Sequence, residues 1–180
     1  SNGQPRAVIW WLSDSGHWMY STGGIADAEP LALMEGYNVI LPTGSATQSV
    51  LLVGRIPTNV ASQTMLAHAY NIVGYNVPRR MKISELGFRE AGFSGGRNMT
   101  QSDEIRILAS GVGVYGSPKV RIWLNSANGQ FTFQAGGTGS AENYQVEPDE
   151  ALIIYTRKSS APWTWTNRLF YSTPGRFMNP

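Results

Sequence analysis

The chain has 180 residues, of which 42% are apolar, 14% charged and none cysteine, with a net charge of +2 and a pI near 9.0. That length and apolar share suffice for a folded body with its own core, while the missing cysteines exclude disulfides, thiolate chemistry and the common zinc sites. No run approaches the roughly 20 apolar residues of a membrane helix, and the only basic cluster, Arg79, Arg80 and Lys82, falls short of the stripe that nucleic acid demands.

In chain order, Ala7 to Leu12 is a continuous apolar run rich in tryptophan, the pattern of a strand buried on both faces. Ser13-Asp14-Ser15-Gly16 supplies turn chemistry, His17 to Tyr20 alternates, and Gly23-Gly24 closes the hairpin. Ala26 to Glu35 reads as a helical turn, Tyr37 to Leu41 as a third strand and Val50 to Ile56 as a fourth. Thr58 to Arg80 is irregular apart from an apolar segment at Asn71 to Tyr75. A short helix is predicted near 82–91, with Ser84 as its N-cap and Gly87 and Gly92 limiting its length. Phe93 to Arg97 is a loop, Asp103 to Ala109 a half-buried strand, and Lys119 to Ala135 a second hairpin. Strands at Ala151 to Tyr155 and near Trp163 to Tyr171 complete the chain.

The two hairpins resemble each other. A shift of 113 positions places Ile9 on Ile122, Trp10 on Trp123, Gly16 on Gly129, Trp18 on Phe131, Tyr20 on Phe133 and Gly23-Gly24 on Gly136-Gly137. Carried downstream without a gap, it places Ala28-Glu29 on Ala141-Glu142 and Val39 to Leu41 on Leu152 to Ile154. This self-similarity predicts an all-β protein, an antiparallel sandwich or barrel built from a partial internal duplication. Residues 1–57 would be a partial unit and 58–180 a full one, joined in one body.

Several segments carry a further likeness: Asn71-Ile72-Val73-Gly74-Tyr75, Ile83 to Phe88, Ser102-Asp103-Glu104-Ile105, and Val146 to Ile154 followed by Trp163. In this order they resemble a family of uncharacterised exported β-repeat proteins typical of verrucomicrobial bacteria. The resemblance spans about one unit and the back half of another, and its motifs are packing and turn signals. Asn76, Ser102 and Asp149 depart from the pattern. What it implies is export, an extracellular or cell-surface location, and a β-rich structural role, with no catalytic residues to carry over.

Candidate chemistry is sparse. His17 and His68 lack a neighbour at metal-ligand spacing, and no Gly-x-Ser-x-Gly elbow exists. The acidic clusters Asp103-Glu104 and Glu147-Pro148-Asp149-Glu150 do not follow calcium-loop spacing and read as solvated turns. No cofactor is implied. Aromatic residues are the strongest signal, notably Trp10, Trp11, Trp18, Trp123, Trp163 and Trp165. Their recurrence at matched positions argues for burial; exposed, Trp18, Trp163 and Trp165 would form a platform for sugar rings.

These readings lead to two functional expectations. The first is an exported, non-enzymatic structural subunit that assembles with itself into a filament, tube or surface layer by strand addition, using Val8, Ile9, Trp10, Trp11 and Leu12. The second is a carbohydrate-binding β-sandwich module in which Trp18, Trp163 and Trp165 stack on a polysaccharide.

Overall fold

In the computed structural model, residues 7–30, 61–74, 79–108, 117–134, 139–148 and 150–167 are described. Among them lie eleven strands: β1 (Ile9–Leu12), β2 (His17–Tyr20), β3 (Ala61–Met65), β4 (Tyr70–Val73), β5 (Met81–Lys82), β6 (Glu104–Leu108), β7 (Val120–Asn125), β8 (Gln130–Phe133), β9 (Gln145–Val146), β10 (Ala151–Tyr155) and β11 (Trp163–Asn167). One helix, α1 (Phe88–Ala91), and two short 310 turns join them. The protein is therefore all-β, with every paired strand antiparallel.

The main sheet has five strands in the order β4-β10-β6-β7-β8. Alternation sorts its side chains onto two faces. Ile105 pairs with Ile122 and Ile154, and Leu124 with Phe131, so these residues share one face, where all are buried. The two-stranded sheets β3-β11 and β5-β9 contribute Met65, Trp165, Met81 and Val146 to the same core. Trp165 packs at a tilt with its ring centroid 4.8 Å from that of Phe88 of α1, and Phe93 bridges Phe131 and Trp163.

The predicted helix at 82–91 is broken in two. Residues Ile83–Glu85 form a 310 turn and α1 begins only at Phe88, because Gly87 between them takes a left-handed φ of 72°. Ser84 is no N-cap; it lies inside the 310 turn and its hydroxyl donates to the Glu142 carbonyl. The irregular middle conceals β3, whose Ser62, Gln63 and Thr64 look like loop composition but pair in register with β11. Only the start of the predicted turn after Ala26 is described; the expected strands at 37–41 and 50–56, residue 109 and residues 168–171 lie outside the described residues.

The hairpins share their strand register and the glycine bond of their turns. Ile9 faces Tyr20 and Trp11 faces Trp18 in the first; Ile122 faces Phe133 and Leu124 faces Phe131 in the second. Gly16 N–H donates to Leu12 C=O at 2.9 Å, and Gly129 N–H to Asn125 C=O at 2.8 Å, with both glycines at positive φ. Beyond the hairpins the ungapped alignment fails. Ala26 N–H bonds Trp18 C=O as Ala141 N–H bonds Phe131 C=O, so Ala26-Asp27, and not Ala28-Glu29, occupies the place of Ala141-Glu142. The second hairpin has two more residues in the loop after its last strand.

Candidate functional site

The equivalence of the hairpins ends at their outer edges. In an antiparallel pair the backbone groups of alternate residues point toward and away from the partner strand. Ser21 N–H bonds Val8 C=O, which fixes Val8, Trp10 and Leu12 as facing β2 and turns the backbone groups of Ile9 and Trp11 outward. At the corresponding positions of β7 these groups are used: Ile122 pairs with Ile105 of β6, Leu124 N–H donates to Ser102 Oγ, and Leu124 C=O accepts from Gly96 N–H. Ile9 and Trp11 have no such partner among the described residues.

Groups on the outer edges of β2, β8 and β4 do find partners. On β2, Trp18 C=O accepts from Ala26 N–H and Trp18 N–H donates to Asp27 Oδ1. On β8, Phe131 is held in the same way by Ala141 and Glu142. On β4, the outward Ile72 carbonyl accepts from Gln63 Nε2 at 2.9 Å. Asp27 also accepts a hydrogen bond from the His17 ring; that bond, and then the Trp18 N–H, hold its carboxyl below the usual range.

The aromatic residues divide. Trp10, Trp11 and Trp18 are 48%, 51% and 48% exposed, and the indoles of Trp11 and Trp18 meet edge to face at 5.3 Å. The expectation that Ala7 to Leu12 is buried on both faces is thus corrected: among the described residues β1 pairs only with β2, and its two tryptophans stay about half exposed. Trp163 and Trp165 are buried, with Trp163 Nε1–H bonded to Ser159 Oγ and Trp165 Nε1–H to the Leu86 carbonyl. Neither can stack on a sugar, so of the three suggested platform residues only Trp18 reaches solvent.

The first acidic cluster is no solvated turn. Asp103 and Glu104 are fully buried. Asp103 accepts from the Ser94, Lys158 and Ser159 backbone N–H groups and from Ser159 Oγ, tying the loop before β6 to the segment after β10. Glu104 lies on the face of the sheet opposite the core, where Arg106, Arg121 and Arg157 all pair with it. Burial raises the pKa of its carboxyl, but the guanidinium groups of Arg121 and Arg106 outweigh that effect and hold it below the ordinary carboxylate range. Beside this cluster Tyr70 and Tyr155 stack at 4.2 Å, with Arg106 over Tyr70 and Arg157 over Tyr155.

The same sheet face continues through Trp123, the register partner of Glu104 and Thr132, to Asn125 and Gln130. Here it forms the floor of an open groove of about 710 Å³, walled by the loop Arg97 to Thr100. That loop is pinned by Gly96, whose N–H donates to Leu124 C=O while its C=O accepts from Ser126 N–H. Sequence reading passed over this groove because Arg97 and Trp123 are 26 positions apart and neither belongs to a motif. No known protein family, curated protein or solved structure matches the chain.

Proposed function

We propose that this chain is a non-enzymatic structural subunit, exported to the cell surface or beyond, that assembles with copies of itself by strand pairing at β1. The reading rests on one observation: among the described residues the outward backbone groups of Ile9 and Trp11 have no partner, while the same positions of β7 are paired. An open edge flanked by half-exposed tryptophans is a template for another strand. The edges of β2 and β8 carry their own closures, and β1 of a second copy offers an open edge with the same tryptophan-rich flanks, so we take that β1 as the partner.

Two β1 strands related by a two-fold axis pair with Ile9 opposite Trp11 of the second copy, and Trp10 opposite its own counterpart. In this register the outward groups of Ile9 and Trp11 bond each other, and the two Trp10 side chains meet at a non-hydrogen-bonded position, where Cα atoms approach to about 4.5 Å. The result is a four-stranded sheet with apolar residues on both faces. A two-fold contact closes on itself, so a filament, tube or layer is extended from this dimer by a second kind of contact. Export and a surface location follow the resemblance to exported β-repeat proteins.

The absence of native cysteine makes the test clean. A Trp10→Cys variant should form a disulfide-linked dimer under mild oxidation, since its Cα separation suits a disulfide. Ile9→Cys should not, because two residues of offset set its counterparts roughly 8 Å apart. Sedimentation of the unmodified chain as a monomer at high micromolar concentration, or equal cross-linking at both positions, would sink the reading.

A further inference from the structure

The groove on the second hairpin combines three features that belong together in saccharide recognition. Its floor holds the indole of Trp123, partly open to solvent and flanked on the same sheet face by Asn125, Gln130 and Thr132. An indole face covers the apolar C–H face of a pyranose, and planar amides around it bond the ring hydroxyls. The amide oxygens of Asn125 and Asn128 each accept a backbone N–H, from Ala127 and Gln130, which leaves both amide N–H donors of each side chain without a partner among the described residues. The volume, about 710 Å³, lies within the range of small-ligand sites.

One cation and no carboxylate line the groove. Arg97 on its wall is exposed and forms no ion pair with the described residues. Next to Trp123, three guanidinium groups converge on the single carboxylate of Glu104, leaving that part of the sheet face with an excess of positive charge. Donors and positive charge select a ligand rich in acceptors and bearing carboxylates.

The wall is held in place by the backbone. A Cβ on Gly96 would come within 2.1 Å of the Gln101 carbonyl oxygen, so the loop can close on itself only with glycine there. Asn98 Oδ1 accepts from Thr100 Oγ1 and Gln101 N–H, fixing the turn that follows Arg97. The site is thus set before a ligand arrives, which lowers the ordering cost of binding.

We propose that this groove binds an acidic saccharide, with a pyranose ring stacked on Trp123 and a uronate carboxylate paired with Arg97. The interaction is separate from self-assembly at β1 and would let an assembled subunit hold an anionic polysaccharide. Single-stranded nucleic acid shares the charge and stacking requirements, but the Tyr70 and Tyr155 rings are stacked on each other and capped by arginine, leaving one platform where a strand of bases would use several.

The test is affinity electrophoresis of the whole chain through gels containing polygalacturonate or alginate, with a hydroxyethylcellulose gel as the neutral comparison. Retardation is expected in at least one acidic gel. Trp123→Ala should weaken it about tenfold, and Arg97→Gln should weaken it in the acidic gel when each variant's mobility there is taken relative to its own mobility in the neutral gel, which corrects for the charge removed. Arg97 and Gln130 are exposed, so Arg97→Gln and Gln130→Ala remain decisive should Trp123→Ala fail to fold. No retardation in either acidic gel would overturn the proposal. So would retardation that survives the Arg97 and Gln130 changes, or displacement of the polysaccharide by a lower concentration of single-stranded oligonucleotide.

Discussion

Replacing Glu104 with glutamine tests whether the outer face of the sheet is held together by its one buried carboxylate. The substitution keeps the shape and an acceptor oxygen but leaves Arg106, Arg121 and Arg157 converging on a neutral group. Removing one side of a buried ion pair costs about 3–5 kcal/mol. The carboxylate here is wholly sequestered, whereas the three arginine side chains are 25%, 27% and 22% exposed and can regain some hydration. The loss should therefore fall near the lower bound, about 3 kcal/mol. With a urea slope of about 2 kcal/mol/M, the unfolding midpoint, followed by tryptophan fluorescence, should drop by roughly 1.5 M. The pH dependence supplies a second reading. The folded carboxyl has a lowered pKa, so its contribution is complete above the unfolded value of about 4.3 and is lost as pH falls through the folded value. Wild-type stability should decline along that acid limb, and Glu104→Gln should flatten it. A loss under about 1 kcal/mol with the acid limb intact would refute the account, because the arginines would then be stabilised without the carboxylate.

Other outcomes are equally definite. Gly96→Ala forces a Cβ against the Gln101 backbone and should cost at least about 2 kcal/mol in the same urea assay. Trp165→Ala empties the contact with Phe88 and strands the Leu86 carbonyl; the loss should be about 3–5 kcal/mol, with a marked fall in melting temperature. In an NMR titration the Asp27 carboxyl should have its midpoint below the usual carboxylate range, and His17→Ala should move it upward. The hairpin's gain from that bond is present above the unfolded aspartate value and disappears as pH falls.

The strands that could be read from sequence were those whose composition and neighbours agreed. Both hairpins announce themselves through a turn glycine between β-formers, and β10 through a run of apolar residues. β3 was hidden because its Ser-Gln-Thr stretch draws its strand character from pairing with β11, a partner about a hundred positions away. The burial of Asp103 and Glu104 is not legible locally: apart from Arg106, two positions on, the groups that satisfy them come from residues 94, 121 and 157 to 159. Tryptophan is ambiguous for a related reason. Trp18 and Phe131 hold equivalent places in matching hairpins, yet one is half exposed and the other enclosed, since what covers a strand is decided by the rest of the sheet. The groove required two segments to be brought side by side and could not be seen in either.

The position of β10 bears on how this polypeptide comes into being. It lies between β4 and β6, so neither of those strands has its inner neighbour until residues 151 to 155 have left the ribosome. The first hairpin, by contrast, needs only nearby residues and can form early. The β6-β7-β8 meander also pairs between near neighbours, so what waits for residues 151 to 155 is the joining of β4 to that meander across β10.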